Sequence, residues 1–283
     1  GSGIAGISSS LKLKSYGFET TIFDKGDFIG GRIGTREITV KNKSHFFYHG
    51  AQFFTAKTFN FQSIVQRGIN RGYIKKYGNF TPPRYRGFKS MRNFLINLSQ
   101  NLNITQNVKV TRLRPYDKKI SVLYDKSNIW QTYDSVISTL PAPQNLDLMK
   151  KFPTLIKTLK TAAYDSCIAV MFSFDKKSKK IPHFIDYYNQ QGILSWMAAG
   201  SDTGFWTAHT KGVFSNENLY KDRTILKDQI FNEIEKAIYQ LDENIKVNFH
   251  SLHIWKYAKV TKVCSGPQID TNFPIAIAGD FME

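Results

Sequence analysis

Cysteine, proline and acidic side chains are all scarce in this sequence of 283 residues. The two cysteines, Cys167 and Cys264, exclude a disulfide framework and a cysteine-based zinc site, and they fit a reducing compartment. No apolar run reaches the roughly 18 residues that a membrane-spanning helix needs. The first residues also lack the basic and apolar regions of a signal peptide. These absences predict a cytoplasmic protein without a membrane partner.

Basic residues are in clear excess: 39 lysines and arginines face 22 aspartates and glutamates, which gives a net charge of +17. Such a charge is compatible with nucleic acid, an anionic membrane or an acidic ligand as the partner. The basic residues are nevertheless scattered, and the densest cluster is the short run 175–180. No nucleic-acid-binding motif with the required spacing is present in the sequence. We therefore predict no nucleic-acid partner.

Helical and strand-like patterns alternate along the chain, as in α/β proteins. Helices are predicted over 4–15, 58–77 and 225–241, and a further helix begins after Ser90. No linker rich in proline, glycine and serine separates the two halves, which indicates two domains that exchange segments. The predicted strands cover 19–24, 85–88, 108–113, 121–124, 136–139, 162–174, 193–199, 205–209, 246–257 and 275–278.

The opening segment has the pattern of a dinucleotide-binding loop. Residues 1–6 read G-x-G-x-x-G, in which glycines permit a tight turn, close approach of a pyrophosphate and helix packing. A helix follows, and its first N–H groups can bind phosphate. Asp24 ends the next strand, at the spacing of a carboxylate that accepts from a ribose diol. The predicted loop residues are Gly1, Ser2, Gly3, Ile4, Ala5 and Gly6.

A second glycine-rich loop is more specific. Gly30 and Gly31 allow close backbone approach, and Arg32 can fork onto phosphate or flavin-ring acceptors. Together with the opening loop, this resembles the FAD-binding pattern of the flavin amine oxidase superfamily. Within that superfamily, residues 50–55 (GAQFFT) are similar to the signature of the renalase-like branch. Further similar segments follow in the family's order: 87–91, 134–144, 255–258, 267–268 and 279–281.

The resemblance implies a non-covalent FAD site. The opening glycines would hold the pyrophosphate, Asp24 the adenosine ribose, and Asp280 the segment between phosphate and ribityl chain. Gln52 and Phe53 would lie near the isoalloxazine ring, and the backbone of Val108 would meet adenine. The other residues implied to bind the cofactor are Lys25, Gly30, Gly31, Arg32, Arg36, Gly50, Ala51 and Gly279.

The chain departs from the family pattern at several positions. Tyr48 stands where aspartate is frequent, and residues 200–204 replace an expected Ser-Lys-Pro-Gly-Arg-like stretch. The pattern around Cys264 does not match relatives that attach flavin covalently. The strand expected before Gly1 and the helix expected after the Gly-Asp motif lie outside this sequence. We therefore expect a chain truncated at both ends.

Aromatic residues of the second half are the candidates for the substrate side. His253, Trp255 and Tyr257 alternate on a predicted strand and therefore point to one face. Trp196 and Trp206 lie on neighbouring predicted strands. Such a wall could face a flat substrate ring, although buried aromatic residues also pack in ordinary cores. His250 and His253 are three residues apart on a predicted strand and therefore point to opposite faces, so no metal site is predicted.

The sequence indicates no nucleophile or acid–base pair, and the catalytic residues stay unassigned.

We predict an α/β fold, in which an FAD-binding Rossmann-like domain is interleaved with a substrate domain of mixed sheet plus helices. The FAD-binding parts are 1–56, 101–148 and 259–283, and the substrate parts are 57–100 and 149–258. The predicted activity is hydride transfer from a small substrate to flavin N5, with oxygen as acceptor and hydrogen peroxide as product. The resemblance points to a reduced nicotinamide dinucleotide isomer. An amine, an apolar substrate and a non-catalytic fragment stay open as alternatives.

Overall fold

The computed structural model describes residues 1–125, 127–200 and 204–282, so residues 201–203 of the departing segment and Glu283 fall outside it. The helices are α1 (Ile4–Ser15), α2 (Phe59–Asn70), α3 (Met91–Leu98), α4 (Ala142–Leu148), α5 (Pro153–Leu159), α6 (Gly212–Glu217) and α7 (Arg223–Leu241), with a 3-10 helix at Gly31–Ile33. The strands are β1 (Thr21–Phe23), β2 (Arg36–Val40), β3 (Lys43–Phe47), β4 (Ile74–Lys76), β5 (Tyr85–Gly87), β6 (Asn103–Thr105), β7 (Val110–Tyr116), β8 (Lys119–Tyr124), β9 (Gln131–Tyr133), β10 (Val136–Ser138), β11 (Ala163–Phe174), β12 (Phe184–Asp186), β13 (Leu194–Ala199), β14 (Phe205–Thr210), β15 (Val247–Lys262) and β16 (Ile275–Ile277).

Two compact units are built from segments that alternate along the chain. Unit 1 comprises Gly1–Gly31, Leu95–Tyr164 and Val260–Glu283, and unit 2 comprises Arg32–Phe94 and Asp165–Lys259. The division predicted from the sequence differs mainly in two stretches. Residues 32–56 belong to unit 2, not to the nucleotide-binding part, and residues 149–164 belong to unit 1.

Hydrogen bonds and burial explain both differences. In the first stretch, Arg36 Nη1 donates to Ser251 Oγ at 2.7 Å, and Gln52 Nε2 donates to the Thr207 carbonyl at 3.1 Å. Both acceptors belong to unit 2. The second stretch contains α5, whose Leu155 is fully buried in the hydrophobic core of unit 1. Long-range packing, which leaves little trace in the local sequence, therefore decides where these stretches belong.

Unit 1 combines short parallel strand pairs with an antiparallel meander. β1 pairs in parallel with β6, and β10 pairs in parallel with β16. β7, β8 and β9 form an antiparallel sheet. The core lies between these strands and the helices α4 and α5, and it includes Ile120, Phe152 and Phe281, all with no exposed surface. Parallel pairs beside helices are typical of nucleotide-binding α/β units.

Unit 2 is organised around a five-stranded sheet in the order β12-β13-β14-β11-β15. The apolar stripe of α7 packs into the core of this unit: Leu226, Ile230, Ile234 and Ile238 have no exposed surface, and Leu241 is partly buried. Trp206 belongs to the same core, where it is 1% exposed and packs near Phe172 and Phe174. The expectation that Trp206 lines a substrate wall is therefore wrong, because its ring fills the interior of the unit.

The helix predicted over 58–77 is too long. Thr58 Oγ1 caps α2 by accepting from the Phe61 amide, but α2 ends at Asn70. Gly72 then adopts a φ of 75°, a left-handed conformation that glycine reaches without steric cost and that ends helices. The chain continues as β4, which pairs with β5. Among the described residues, no helix combines the length and apolar character that crossing a membrane requires.

Candidate functional site

The opening loop of unit 1 is a tight turn into α1. Gly3 caps the helix with φ −75° and ψ −179°. A Cβ atom added to Gly6 would lie 1.9 Å from the Gly1 carbonyl oxygen, so only glycine fits there. A Cβ atom added to Gly3 would meet its nearest neighbour, the Gly30 carbonyl oxygen, only at 4.0 Å. Gly6 is thus required by packing, whereas the space around Gly3 is open.

Asp24 ties this loop to the end of β1. Its Oδ2 accepts from the Ser2 amide at 2.5 Å and from the Ser2 hydroxyl at 2.8 Å. Its Oδ1 accepts from the Gly26 amide at 2.7 Å. A carboxylate offers about four lone-pair sites, so about one is left on Oδ1 for a further donor. Asp24 therefore organises the loop and keeps some capacity for a ligand hydroxyl.

The ends of the parallel strands meet at this loop. The Gly1 amino group donates to the Phe23 carbonyl at the end of β1 at 2.8 Å. The Thr139 hydroxyl, directly after β10, donates to the Gly1 carbonyl at 3.4 Å. The Gly30 amide donates to the Ser2 carbonyl at 3.1 Å, which joins the second glycine-rich loop to the first. Ligands of open α/β sheets bind at such carboxyl ends.

A cavity of about 250 Å³ lies beside Asp24 in unit 1. Its lining residues are Phe23, Thr105, Val108, Tyr124, Asp125, Ser127 and Gln131. The Asp24 amide donates to the Thr105 carbonyl, and the Val108 amide donates to the Asp24 carbonyl, both at 2.9 Å. The mainly apolar lining suits a flat ring. The Val108 amide is therefore already engaged in the fold.

Unit 2 contains a second group of predicted site residues. We call His49, His209, His253, Trp196 and Trp255 the histidine–tryptophan cluster. The His49 carbonyl accepts from Trp255 Nε1 at 2.8 Å and from His209 Nε2 at 3.1 Å. The Trp255 ring stacks on the His49 ring at 5.2 Å, and the His253 ring meets it edge-on at 4.4 Å. The Trp196 ring meets His209 edge-on at 5.0 Å.

Gln52 joins this cluster through its side chain. Its Oε1 accepts from Trp196 Nε1 at 2.9 Å, while its Nε2 donates to the Thr207 carbonyl. The amide is 3% exposed and has a single orientation that satisfies both bonds. The remaining predicted residue, Tyr257, contributes through its backbone, since its carbonyl accepts from Arg32 Nη1 at 3.3 Å.

The histidines of the cluster are neutral near pH 7. Burial lowers the pKa of His49 to about 3, assisted by the nearby His253, Arg36 and His209. Burial also lowers the pKa of His209 and of His253 to about 4. His209 donates through Nε2, so its Nδ1 is a bare acceptor. The Nδ1 atoms of His49 and His209 are both buried without a hydrogen-bond partner in the described part of the chain. The cluster thus offers neutral acceptors and flat ring surfaces.

Arg86 supports the Gln52 segment from β5. Its Nε donates to the Gln52 carbonyl at 2.7 Å, and its Nη1 donates to the Ala199 carbonyl at 2.8 Å. The guanidinium lies 3.3 Å from the centre of the Tyr77 ring and is 3% exposed. Burial lowers the pKa of Arg86 from its ordinary value. The sequence analysis missed Arg86, His49 and His209, because only the tertiary structure brings Arg86 to Gln52 and His209 to His49.

Comparison with known proteins supports the fold. Residues 1–67 match the family described as NAD(P)-binding Rossmann-like domain. A wild-type putrescine oxidase bound to putrescine is similar over 99% of this chain and 92% of its own, with 9% identity and a TM-score of 0.66. The CLA-producing fatty acid isomerase from P. acnes is similar over 91% of this chain and 85% of its own, with 12% identity and a TM-score of 0.66.

A candidate protoporphyrinogen oxidase from Exiguobacterium sp. 255-15 covers 72% of this chain, with 13% identity and a TM-score of 0.54. This chain spans only 49% of that protein's length. Structural similarity at such low sequence identities is evidence for the fold alone. The predicted α/β fold with a Rossmann-like domain is confirmed, and it is similar to the fold of a putrescine oxidase.

Replacing Asp24 with asparagine is expected to lower the free energy of unfolding by about 2 kcal/mol. The three hydrogen bonds from Ser2 and Gly26 would lose their charge-assisted strength, and one acceptor would become a donor. Urea unfolding followed by tryptophan fluorescence measures this loss. Asp27→Asn is the matched control, because Asp27 is exposed. An Asp24→Asn variant as stable as Asp27→Asn would contradict the anchoring role.

Proposed function

We propose that this chain is an oxidoreductase that binds FAD non-covalently and oxidises a small molecule. The observation that carries the proposal is the loop of unit 1, in which Asp24, the opening glycines and the Gly30 segment are joined by hydrogen bonds. The matched Rossmann-like domain and the likeness of the fold to an amine oxidase support it. Unit 1 would then hold the nucleotide, and unit 2 the substrate.

The residues of unit 1 fit an adenine dinucleotide. The open space at Gly3 and the first N–H groups of α1 suit a pyrophosphate. The spare acceptor site of Asp24 suits a ribose hydroxyl, and the cavity beside it has a lining suited to adenine. When bound, the flavin supplies a two-electron acceptor for hydride. Asp280 and Gly279, which follow β16, are proposed to bind the phosphate and ribityl segment.

The histidine–tryptophan cluster is the proposed substrate side. Trp196 and Trp255 are held by hydrogen bonds to Gln52 and His49, which fixes the planes of both rings. Preorganised rings can orient a flat substrate without losing side-chain entropy on binding. The neutral histidines offer acceptors for an N–H or O–H group of the substrate. Their pKa values, about 3 to 4, make them weak bases, so their proposed role is orientation.

The proposed substrate is a reduced nicotinamide dinucleotide isomer, with oxygen as the electron acceptor and hydrogen peroxide as the product. A dihydronicotinamide is a flat ring of the size that stacks on indole. Amine oxidation is the second candidate, because the fold is similar to that of a putrescine oxidase. A dihydronicotinamide dinucleotide and an amine differ in charge and shape, so one assay with both substrate classes distinguishes the two candidate activities.

The test is an absorption spectrum of the purified protein after incubation with FAD and gel filtration. We expect flavin bands that bleach under nitrogen when a dihydronicotinamide isomer is added, and that return with oxygen as hydrogen peroxide forms. Bleaching by an amine instead would select the second candidate. A protein that retains no flavin would overturn the proposal.

A further inference from the structure

Two arginines of unit 2 have no acidic partner in the part of the chain that the structure describes. Arg84 and Arg86 stand two residues apart at β5, so their side chains leave the strand on the same face. Among the described residues, no carboxylate pairs with either guanidinium. Natural proteins rarely bury a charge unless it is paired, because the desolvation penalty amounts to several kcal/mol.

Arg86 is almost fully enclosed, with 3% of its surface exposed. Its Nε and Nη1 atoms donate to the backbone carbonyls of Gln52, Ala199 and Gly200. Its Nη2 atom is buried and forms no hydrogen bond of normal geometry within the described ranges, while the guanidinium also interacts with the Tyr77 side chain. The backbone carbonyls thus occupy the Nε and Nη1 donors of the Arg86 guanidinium, and the Nη2 donor is left for a further acceptor.

Arg84 has even fewer polar contacts. Its guanidinium lies over three rings, 4.2 Å from Phe53, 4.0 Å from Phe80 and 4.5 Å from Phe184. Its Nη1 atom is buried and has no acceptor in the part of the chain that the structure describes. The rings stabilise the cation but cannot accept an in-plane hydrogen bond. Stacking keeps the plane of the fork fixed, which suits a planar or tetrahedral oxyanion.

The two arginines share one aromatic layer. The Phe53 ring under Arg84 stacks 6.2 Å from the Tyr77 ring, and Tyr77 lies under Arg86. Phe53 follows Gln52, whose carbonyl Arg86 binds. The pair therefore adjoins the Gln52 segment that holds Trp196. A group bound by these arginines would lie in the neighbourhood of the proposed substrate side.

We infer that Arg84 and Arg86 form a binding site for an oxyanion, a carboxylate or phosphate group carried by the substrate. Unpartnered buried N–H groups on two rigidly stacked guanidiniums are the donors that such a group accepts from bidentately. The identity of the ligand as substrate rests on the proposed function, whereas the anion site itself does not. A phosphate would select a dinucleotide, and a carboxylate would select an acidic amine or a fatty acid.

The test measures the melting temperature of the full chain in titrations with inorganic phosphate and with acetate, at constant ionic strength. Saturating FAD is added in a parallel series, so that the opening loop cannot be the phosphate site. Arg84→Gln is the informative variant, because the Arg84 side chain shows no hydrogen bond to any described residue. Lys76→Gln is its control: it removes the same charge from an exposed position on the neighbouring strand β4.

We expect at least one of the two anions to raise the melting temperature of the parent protein and of Lys76→Gln. We expect the apparent Kd for that anion to rise at least tenfold in Arg84→Gln. The anion that raises the melting temperature in the presence of FAD identifies the group that binds the two arginines as a phosphate or a carboxylate. Equal stabilisation of Arg84→Gln and parent, or no stabilisation of the parent by either anion, would overturn the inference. Anion binding that depends on Arg84 without any FAD binding would contradict the proposed function alone.

Discussion

Replacing Gly3 with alanine is expected to weaken FAD binding at least about thirtyfold, or roughly 2 kcal/mol, while the fold stays intact. The backbone of Gly3 has φ −75° and ψ −179°, which alanine adopts without strain. The new Cβ atom would find its nearest protein neighbour at 4.0 Å. The added methyl group would instead occupy the space that the proposed pyrophosphate needs.

Gly6→Ala is the matched counterpart of Gly3→Ala. It is expected to destabilise the fold, whereas Gly3→Ala is expected to weaken FAD binding. Its Cβ atom would lie 1.9 Å from the Gly1 carbonyl oxygen and 3.1 Å from the Thr139 hydroxyl. Because the first of these atoms is backbone, the turn itself must move. We expect the free energy of unfolding to fall by more than about 3 kcal/mol, at the upper end of overpacking costs.

Two measurements separate the variants. Urea unfolding without FAD should give parent-like stability for Gly3→Ala and a large loss for Gly6→Ala. Titration of FAD fluorescence should then show weak binding for Gly3→Ala. If Gly3→Ala binds FAD as tightly as the parent, the opening loop does not hold the pyrophosphate.

Acidification from pH 7 to pH 5 is expected to lower the free energy of unfolding by about 4 kcal/mol through His49 and His209, to which the partly exposed His253 adds a smaller contribution. The pKa values of His49 and His209 are about 3 and 4 in the folded protein, against 6.5 for an ordinary histidine. Below pH 6.5 these histidines bind protons in the unfolded chain but not in the folded chain. The free energy of unfolding is therefore highest above pH 6.5 and decreases as the pH is lowered. At pH 5 the difference of about 1.5 pKa units corresponds to about 2 kcal/mol for each imidazole.

Urea unfolding at several pH values between 5 and 8 measures this dependence. His209→Gln keeps a donor near the His49 carbonyl but cannot titrate, so it should lose about half of the dependence. The control is His183→Gln, because His183 is exposed. A parent protein whose stability is the same at pH 5 and pH 7 would show that these imidazoles are not buried in neutral form.

Local patterns were sufficient to predict α1, the short strand that leads to Asp24, and α7. Each depends on signals within one element: glycines before a helix, a β-branched run, or apolar residues spaced along one face. The helix predicted over 58–77 failed only beyond Asn70, where Gly72 ends it. The dinucleotide-binding loop was also visible, because all its parts lie within 24 consecutive residues.

The sequence by itself thus determined the kind of fold, the tight glycine-rich turn before α1 and the shared face of His253 and Trp255. Only the tertiary structure decided that residues 32–56 join unit 2 and that Trp206 fills a core. It also decided that Arg86 binds the Gln52 carbonyl and that His209 binds the His49 carbonyl, through hydrogen bonds that span 34 and 160 residues of the chain. The physical reason is range: propensity and periodicity act between neighbours in sequence, whereas burial, pKa shifts and unpaired donors depend on which distant segments pack together.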